Sequence, residues 1–228
     1  MNVSPGYPLL LGLIWGLLIG AALVTRPVEA SILLSGEVEI IAAPHDARFG
    51  KLESNTHARL WEEQQNVVLT SSLDVNIHLP GYYDSGNPAV QSGWAGTLAA
   101  GTTVGSYMLH ADKDGALQFY EGSITFDREI LGIIFKRPGL MATDGLLGAP
   151  VTTYGSYDGR GFELHRGVQY LELSADRRTL GFNTRVPHDM DQLRILLGNP
   201  VVPEPASLGI FAGLLGLTLG FRRRQPGG

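Results

Sequence analysis

Asp112-Lys113-Asp114-Gly115 is the stretch of this chain nearest to a cation-binding loop, because alternate aspartates ahead of a glycine can aim two carboxylates at one ion. A complete loop of that kind needs further oxygen ligands and a glutamate at its twelfth position, where Ser123 stands. The tetrad therefore reads as a turn. Asp144 and Asp158, with Asp127, sit in or near glycine-rich segments and are the candidates for a calcium ion assembled from several loops. His45, His57, His78, His110, His165 and His188 include no pair at the three- or four-residue spacing of a helical metal site. Gly155-Ser156-Tyr157-Asp158-Gly159 puts its serine one position too early for a nucleophile elbow. No cofactor is expected and no catalytic motif is present, so the domain reads as non-enzymatic. Tyr82, Tyr83 and Trp94 border a segment rich in Gly, Ser and Asn and are the candidate sugar contacts, since exposed aromatic faces stack on pyranose rings. Tyr154 and Tyr157 border another such segment; core packing is the plainer reading of all five rings.

The elements that would position these groups have a period of two. Leu73, Val75, Ile77 and Leu79 alternate with Asp74, Asn76 and His78, the pattern of a half-buried strand. Further strands are expected over Glu37–Ile41, Val104–Ala111, Ala116–Phe126, Leu131–Phe135, Gly167–Ser174, Thr179–Asn183 and Gln192–Leu197. Residues 112–115 and 175–178 are the predicted hairpin turns between consecutive strands. Ala58 to Gln65 could form one or two helical turns, and Pro80–Gly93 and Arg137–Gly159 read as long loops. Short strands at this spacing predict an all-β protein, a single antiparallel β-sandwich or jelly-roll, with no internal repeat.

Thirty glycines and thirteen prolines suit many turns, and 44% hydrophobic against 17% charged content argues against a disordered chain. The absence of cysteine excludes a disulfide scaffold, a thiolate metal site and a cysteine nucleophile. Four of the 17 basic residues (Arg26, Arg222, Arg223, Arg224) and two of the 22 acidic ones (Glu29, Glu204) lie near the ends, leaving 13 and 20 between them, a net of −7. An acidic middle without clustered Lys and Arg excludes nucleic acid as a partner.

The two ends carry targeting signals. Leu9 to Val24 is sixteen residues without a charge. Thr25-Arg26-Pro27 and then Val28-Glu29-Ala30 follow, the short side chains at −3 and −1 that signal peptidase accommodates. Residues 1–30 are therefore read as a signal peptide cleaved after Ala30, with signal peptidase and the general export machinery as partners. No basic residue precedes the apolar run, so an uncleaved N-terminal anchor is the alternative. At the other end Pro200, Pro203 and Pro205 enforce an extended linker. Leu208 to Phe221 is fourteen uncharged residues, a helix of about 21 Å against a hydrocarbon core of about 30 Å. Arg222, Arg223 and Arg224 can snorkel to the cytoplasmic face and hold that short transmembrane helix in place.

Val202-Pro203-Glu204-Pro205-Ala206-Ser207, the apolar helix and the terminal arginines together resemble the PEP-CTERM sorting domain. The resemblance implies that Val202, Pro203, Glu204 and Pro205 form the motif recognised by an integral-membrane exosortase, and that the arginines retain the chain in the membrane until processing. Residues 122–127, 130–134, Thr143-Asp144, Leu147-Gly148 and 191–194 are similar to the ectodomain of one group of such proteins, a likeness spanning roughly Gly101 to Leu197; it implies no catalytic residues. The domains are thus a signal peptide 1–30, a β-sandwich ectodomain 31–199 and a sorting tail 200–228. By analogy the protein reaches the cell envelope, outer surface or extracellular matrix after a transient inner-membrane stage. There it would play a structural or adhesive role alongside exopolysaccharide. The alternatives are a carbohydrate-binding module and a secreted polysaccharide-directed hydrolase.

Overall fold

The computed structural model describes residues 31–86, 96–115, 118–157, 159–186 and 190–199. The signal segment, Trp94, Asp158, His188 and the sorting tail lie outside them. In chain order the described strands are β1 (Ile32–Gly36), β2 (Val38–Ile40), β3 (Ala58–Glu62), β4 (Val67–Val68), β5 (Leu73–Val75), β6 (Gly81–Tyr83), β7 (Gly96–Leu98), β8 (Thr103–Ala111), β9 (Gln118–Phe126), β10 (Ile130–Ile134), β11 (Tyr170–Leu173), β12 (Thr179–Val186) and β13 (Asp191–Leu197), with one helix, α1 (Arg137–Leu147), between β10 and β11. Among the described residues no helix is long and apolar enough to cross a membrane.

The protein is all-β, built from several sheets. A five-stranded antiparallel sheet runs β1-β9-β12-β11-β6, and a six-stranded sheet runs β10-β13-β8-β3-β2. Within the second sheet only the β2–β3 pairing is parallel. Period-two alternation in the first sheet sends Tyr120, Ile124, Phe126, Leu180 and Phe182 inward. They share one buried cluster with Leu60, Leu109, Leu193 and Ile195 of the second sheet. The second sheet is covered on its other side as well, where Trp61, Met108 and Leu196 pack with Leu140 and Leu147 of α1. Every residue of β13 is buried as a result.

Double coverage explains the main departures from the expected elements. Ala58–Gln65, expected to turn helically, contains strand β3. Both of its faces are buried, Leu60 on one core cluster and Trp61 on the other, so no apolar–polar alternation is visible. The expected 137–159 loop holds α1, whose Pro138, Gly139 and Gly145 disguise a helix that buries Gly139, Leu140, Thr143 and Leu147 on one face. Proline costs nothing there because it stands at the first turn, where its missing N–H has no partner anyway. The predicted strand 73–79 stops at Val75 and continues only as a single bridge from Ile77 to Ile133. Between them Asn76 turns inward, its Oδ1 accepting from the N–H groups of Phe135 and Lys136 at 2.8 and 3.0 Å. The 175–178 hairpin joins β11 to β12 as expected. The 112–115 turn does not make a hairpin: it carries the chain from β8 in one sheet to β9 in the other.

Where β1 ends, Gly36 lies opposite Gly122 with φ +81°, and a Cβ added to it would stand 2.3 Å from the carbonyl oxygen of Glu121. Left-handed backbone and close approach both require glycine there. Gly36→Ala is expected to lower unfolding free energy by about 2 kcal/mol or more, read as a lower urea midpoint at unchanged m-value; an unshifted midpoint would contradict this turn.

Candidate functional site

The covered face of the six-stranded sheet gathers charged groups into a layer of their own. Strand β13 pairs with β8 so that Gln192 lies opposite His110 and Arg194 opposite Met108. Trp61 lies opposite Met108 on β8's other side, and Glu63, just past β3, donates its N–H to Ser106. Arg194 is fully buried and forms a two-pronged pair with Glu63, at 2.7 and 2.8 Å. Its remaining donors reach Thr143 Oγ1 at 2.5 Å, the carbonyl of Leu140 at 3.2 Å and Asp144 at 3.0 Å. Arg160, also buried, pairs with both oxygens of Asp144 at 2.6 and 2.8 Å and donates to Gln192 at 2.6 Å.

Tyr154 joins the two halves. Its hydroxyl donates to Glu63 at 2.5 Å, and its ring lies under both guanidiniums, 5.3 Å from Arg160 and 5.7 Å from Arg194. Two carboxylates balance two guanidiniums, which is what makes the burial tolerable. Burial acts to lower the pKa of Arg194, but the adjacent Glu63 and Asp144 outweigh it and hold the side chain charged. Burial, with Glu63 beside it, drives the Tyr154 hydroxyl well above its ordinary value.

Asp144, one of the calcium candidates, is engaged by arginines, and Asp158, another, lies outside the described residues. The two Asp144 oxygens already accept from Arg160 and Arg194, and two positive charges at hydrogen-bond distance oppose a calcium ion there. Among the described residues no group of three His, Asp or Glu side chains stands close enough to hold a metal. The Asp112 carboxylate turns inward, accepting the N–H groups of Gly50 and Lys113 at 2.7 and 2.9 Å. Nearby, His110 Nδ1 lies 2.8 Å from Gln192 Nε2, and burial pushes this imidazole down to about 3.

The second arrangement is on the outer face of the five-stranded sheet, where several side chains are exposed. Tyr82, on edge strand β6, is 47% exposed and stacks against Tyr170 of β11, ring centres 4.9 Å apart at 31°. Glu121 of β9 lies next to them, accepting from Asn183 Nδ2 at 3.3 Å and from the Tyr170 hydroxyl at 3.4 Å. Glu172 stands opposite Tyr82 across the β11–β6 ladder. At one end of the same face Arg185 lies 6.0 Å over the half-exposed Phe119. Of the predicted sugar contacts, Tyr82 is here. Tyr83 is not: the pleat turns it inward, its hydroxyl donating to the carbonyl of Leu79 at 2.8 Å, and it is 5% exposed. Tyr157 stacks instead on Phe49 at 5.0 Å.

Sequence reading passed over Tyr170, Glu121, Glu172 and Asn183, because only strand pairing brings them beside Tyr82. It also passed over Glu63, Arg160 and Arg194. For Arg194 a signal existed: an arginine inside the apolar run Leu193–Leu197 must find a buried partner. Elsewhere a shallow groove of about 480 Å³ has Phe135 and Phe162 in its walls and an exposed Glu163–His165 pair at 3.5 Å. Comparison with protein-family models, curated proteins and solved structures returned no match for this chain.

Two expectations follow. Arg194→Met leaves Glu63 buried without its cation and should cost about 3–5 kcal/mol; adding Glu63→Gln should restore part of the loss in chemical denaturation, and strict additivity would refute the pairing. The second concerns pH. With a folded pKa near 3 against about 6.5 unfolded, His110 leaves stability intact above pH 6.5 and removes it progressively as pH falls toward 3. Burial raises Asp112, which works in the opposite sense, its contribution lost as pH rises. His110→Asn should therefore flatten the fall in stability between pH 6.5 and 3; an unchanged slope would assign that fall elsewhere.

Proposed function

We propose that this chain is an exported protein with a β-sandwich ectodomain, sorted by an exosortase and adhesive or structural in the envelope or extracellular matrix. The observation that carries the adhesive part is the Tyr82–Tyr170 pair with Glu121 and Glu172 on an exposed sheet face. Ring faces for pyranose C–H groups beside carboxylates for hydroxyls are what a protein uses to hold a glycan. Exopolysaccharide is the corresponding partner. The same observation favours the second reading, a carbohydrate-binding module, which differs in whether glycan binding is the protein's whole task.

The sandwich reading is supported by the buried cluster that the five- and six-stranded sheets share. The sorting route is supported by the tail motif Val202-Pro203-Glu204-Pro205 with Arg222, Arg223 and Arg224. The described fold is compatible with processing at both ends. At Ser31 the N–H donates to Asp127 at 3.1 Å, next to the expected cut after Ala30. At the other end the last ladder residue is Leu197, ahead of the proline-rich linker.

Replacing Glu204 and Pro205 together with alanine should leave an unprocessed, membrane-retained precursor, visible as a larger band in the inner-membrane fraction. Mature protein reaching the surface unaltered would refute exosortase sorting.

A further inference from the structure

We propose that the Tyr82–Tyr170 face binds a glycan bearing free amino groups, a partly deacetylated hexosamine polymer, in preference to a neutral or acidic one. The proposal rests on the glycan-adhesion reading and narrows it by charge. Across the sheet, Ser123, Gly181, Glu172 and Tyr82 form one continuous row, set by the pairings β9–β12, β12–β11 and β11–β6. Three strand spacings make that row roughly 14 Å long, the span of a short oligosaccharide.

Its floor is low. Gly181 has no side chain, and packing does not demand this, since a Cβ there would meet only Glu172, at an ordinary 3.6 Å. The row runs between Glu121 and Asn183 on one side and Thr125 and Thr179 on the other. A flat strip with a tyrosine pair at one end suits a flat sugar chain better than a peptide, whose side chains need pockets.

The charges decide which glycan. Among the described residues neither Glu121 nor Glu172 enters a salt bridge, in contrast to Glu63 and Asp144. The side-chain partners of Glu121 are neutral, the Asn183 amide and the Tyr170 hydroxyl, and its backbone N–H donates to a further carboxylate, that of Glu37, at 3.2 Å. Arg185, on the same face, lies over Phe119. An ammonium group on the ligand would meet two carboxylates and the faces of two tyrosines, an arrangement that favours cations twice over. A uronic-acid polymer would meet repulsion.

The test uses the full-length chain in detergent micelles, titrated calorimetrically at slightly acidic pH with four probes: a short chitosan oligosaccharide, its fully N-acetylated counterpart, a cello-oligosaccharide and oligolysine. Chitosan is expected to bind about tenfold tighter than the acetylated form, the effect of losing one well-placed charge contact. Glu121→Gln with Glu172→Gln should abolish that preference. Gly181→Thr, which raises the floor at a position with room for a Cβ, should abolish binding at an unchanged thermal midpoint, as should Tyr82→Ala. Equal affinity for all three glycans, insensitive to the charge variants but lost in Tyr82→Ala, overturns the amino-sugar inference and leaves glycan adhesion standing. Oligolysine binding as well as chitosan makes the face a cationic-peptide surface and overturns it too. No glycan binding by a chain with the native thermal midpoint overturns both readings.

Discussion

Arg194 has to be neutralised inside the protein, and much of the fold is arranged around that requirement. It sits in the middle of β13, a strand buried along its whole length, so no water can solvate the guanidinium. Its donors are met from three places: Glu63 beyond β3, Leu140, Thr143 and Asp144 on α1, and the Tyr154 ring from the segment after the helix. Removing any one leaves a buried charge short of partners. A well-packed apolar set of the same volume could be as stable, because desolvating four charges offsets most of their attraction. What the ionic set supplies is a unique register. A one-residue slip of β13 would turn Arg194 toward Leu60 and Leu109 of the shared core and away from Glu63 and Asp144.

That requirement also separates the two sheets by task. Holding Arg194 takes a helix and a long segment laid over the six-stranded sheet, and these cover its outer face. The five-stranded sheet has no such burden, and among the described residues no helix packs on its outer face. Phe119, Glu121, Tyr170, Glu172 and Tyr82 can stand there at no cost to the core, because each shares its strand with inward residues that do the packing. Exposed aromatic and acidic side chains therefore fall on the sheet whose alternation is clean, and the buried ion pairs on the sheet whose alternation is absent.

The same division sets what could be read from the chain. Strands of the open sheet, such as β9 and β12, announced themselves by alternation, as did the 175–178 hairpin with its polar turn. Strand β3 did not, because Leu60 and Trp61 are both buried, on opposite faces, and alternation carries no signal there. Helix α1 was hidden by Pro138, Gly139 and Gly145, residues that are harmless at a first turn or on an open face. The site was half legible. Tyr82 was identifiable as an aromatic beside a polar segment, but its neighbour Tyr83 looked identical, and only the pleat decides which of two adjacent tyrosines faces outward. Tyr170 lies almost ninety positions away (82 to 170), and nothing local marks it. Asp144 showed the converse limit: a carboxylate near glycines looks available for a cation until the arginines that occupy it are placed.

The order of the strands along the chain bears on the proposed export route. Strand β13 is the last described element, yet it lies inside the six-stranded sheet, between β10 and β8. Until it arrives, β10 has no ladder partner in that sheet and Glu63 has no Arg194. The first strand waits as well, since β1 pairs with β9 some ninety residues on. Such long-range closure makes folding cooperative and slow relative to local hairpins. On the sorting reading, Leu197 stands only eleven positions before Leu208, where the apolar segment begins. The strand that completes the core is thus separated only by a short proline-rich linker from the segment proposed to hold the chain at the membrane.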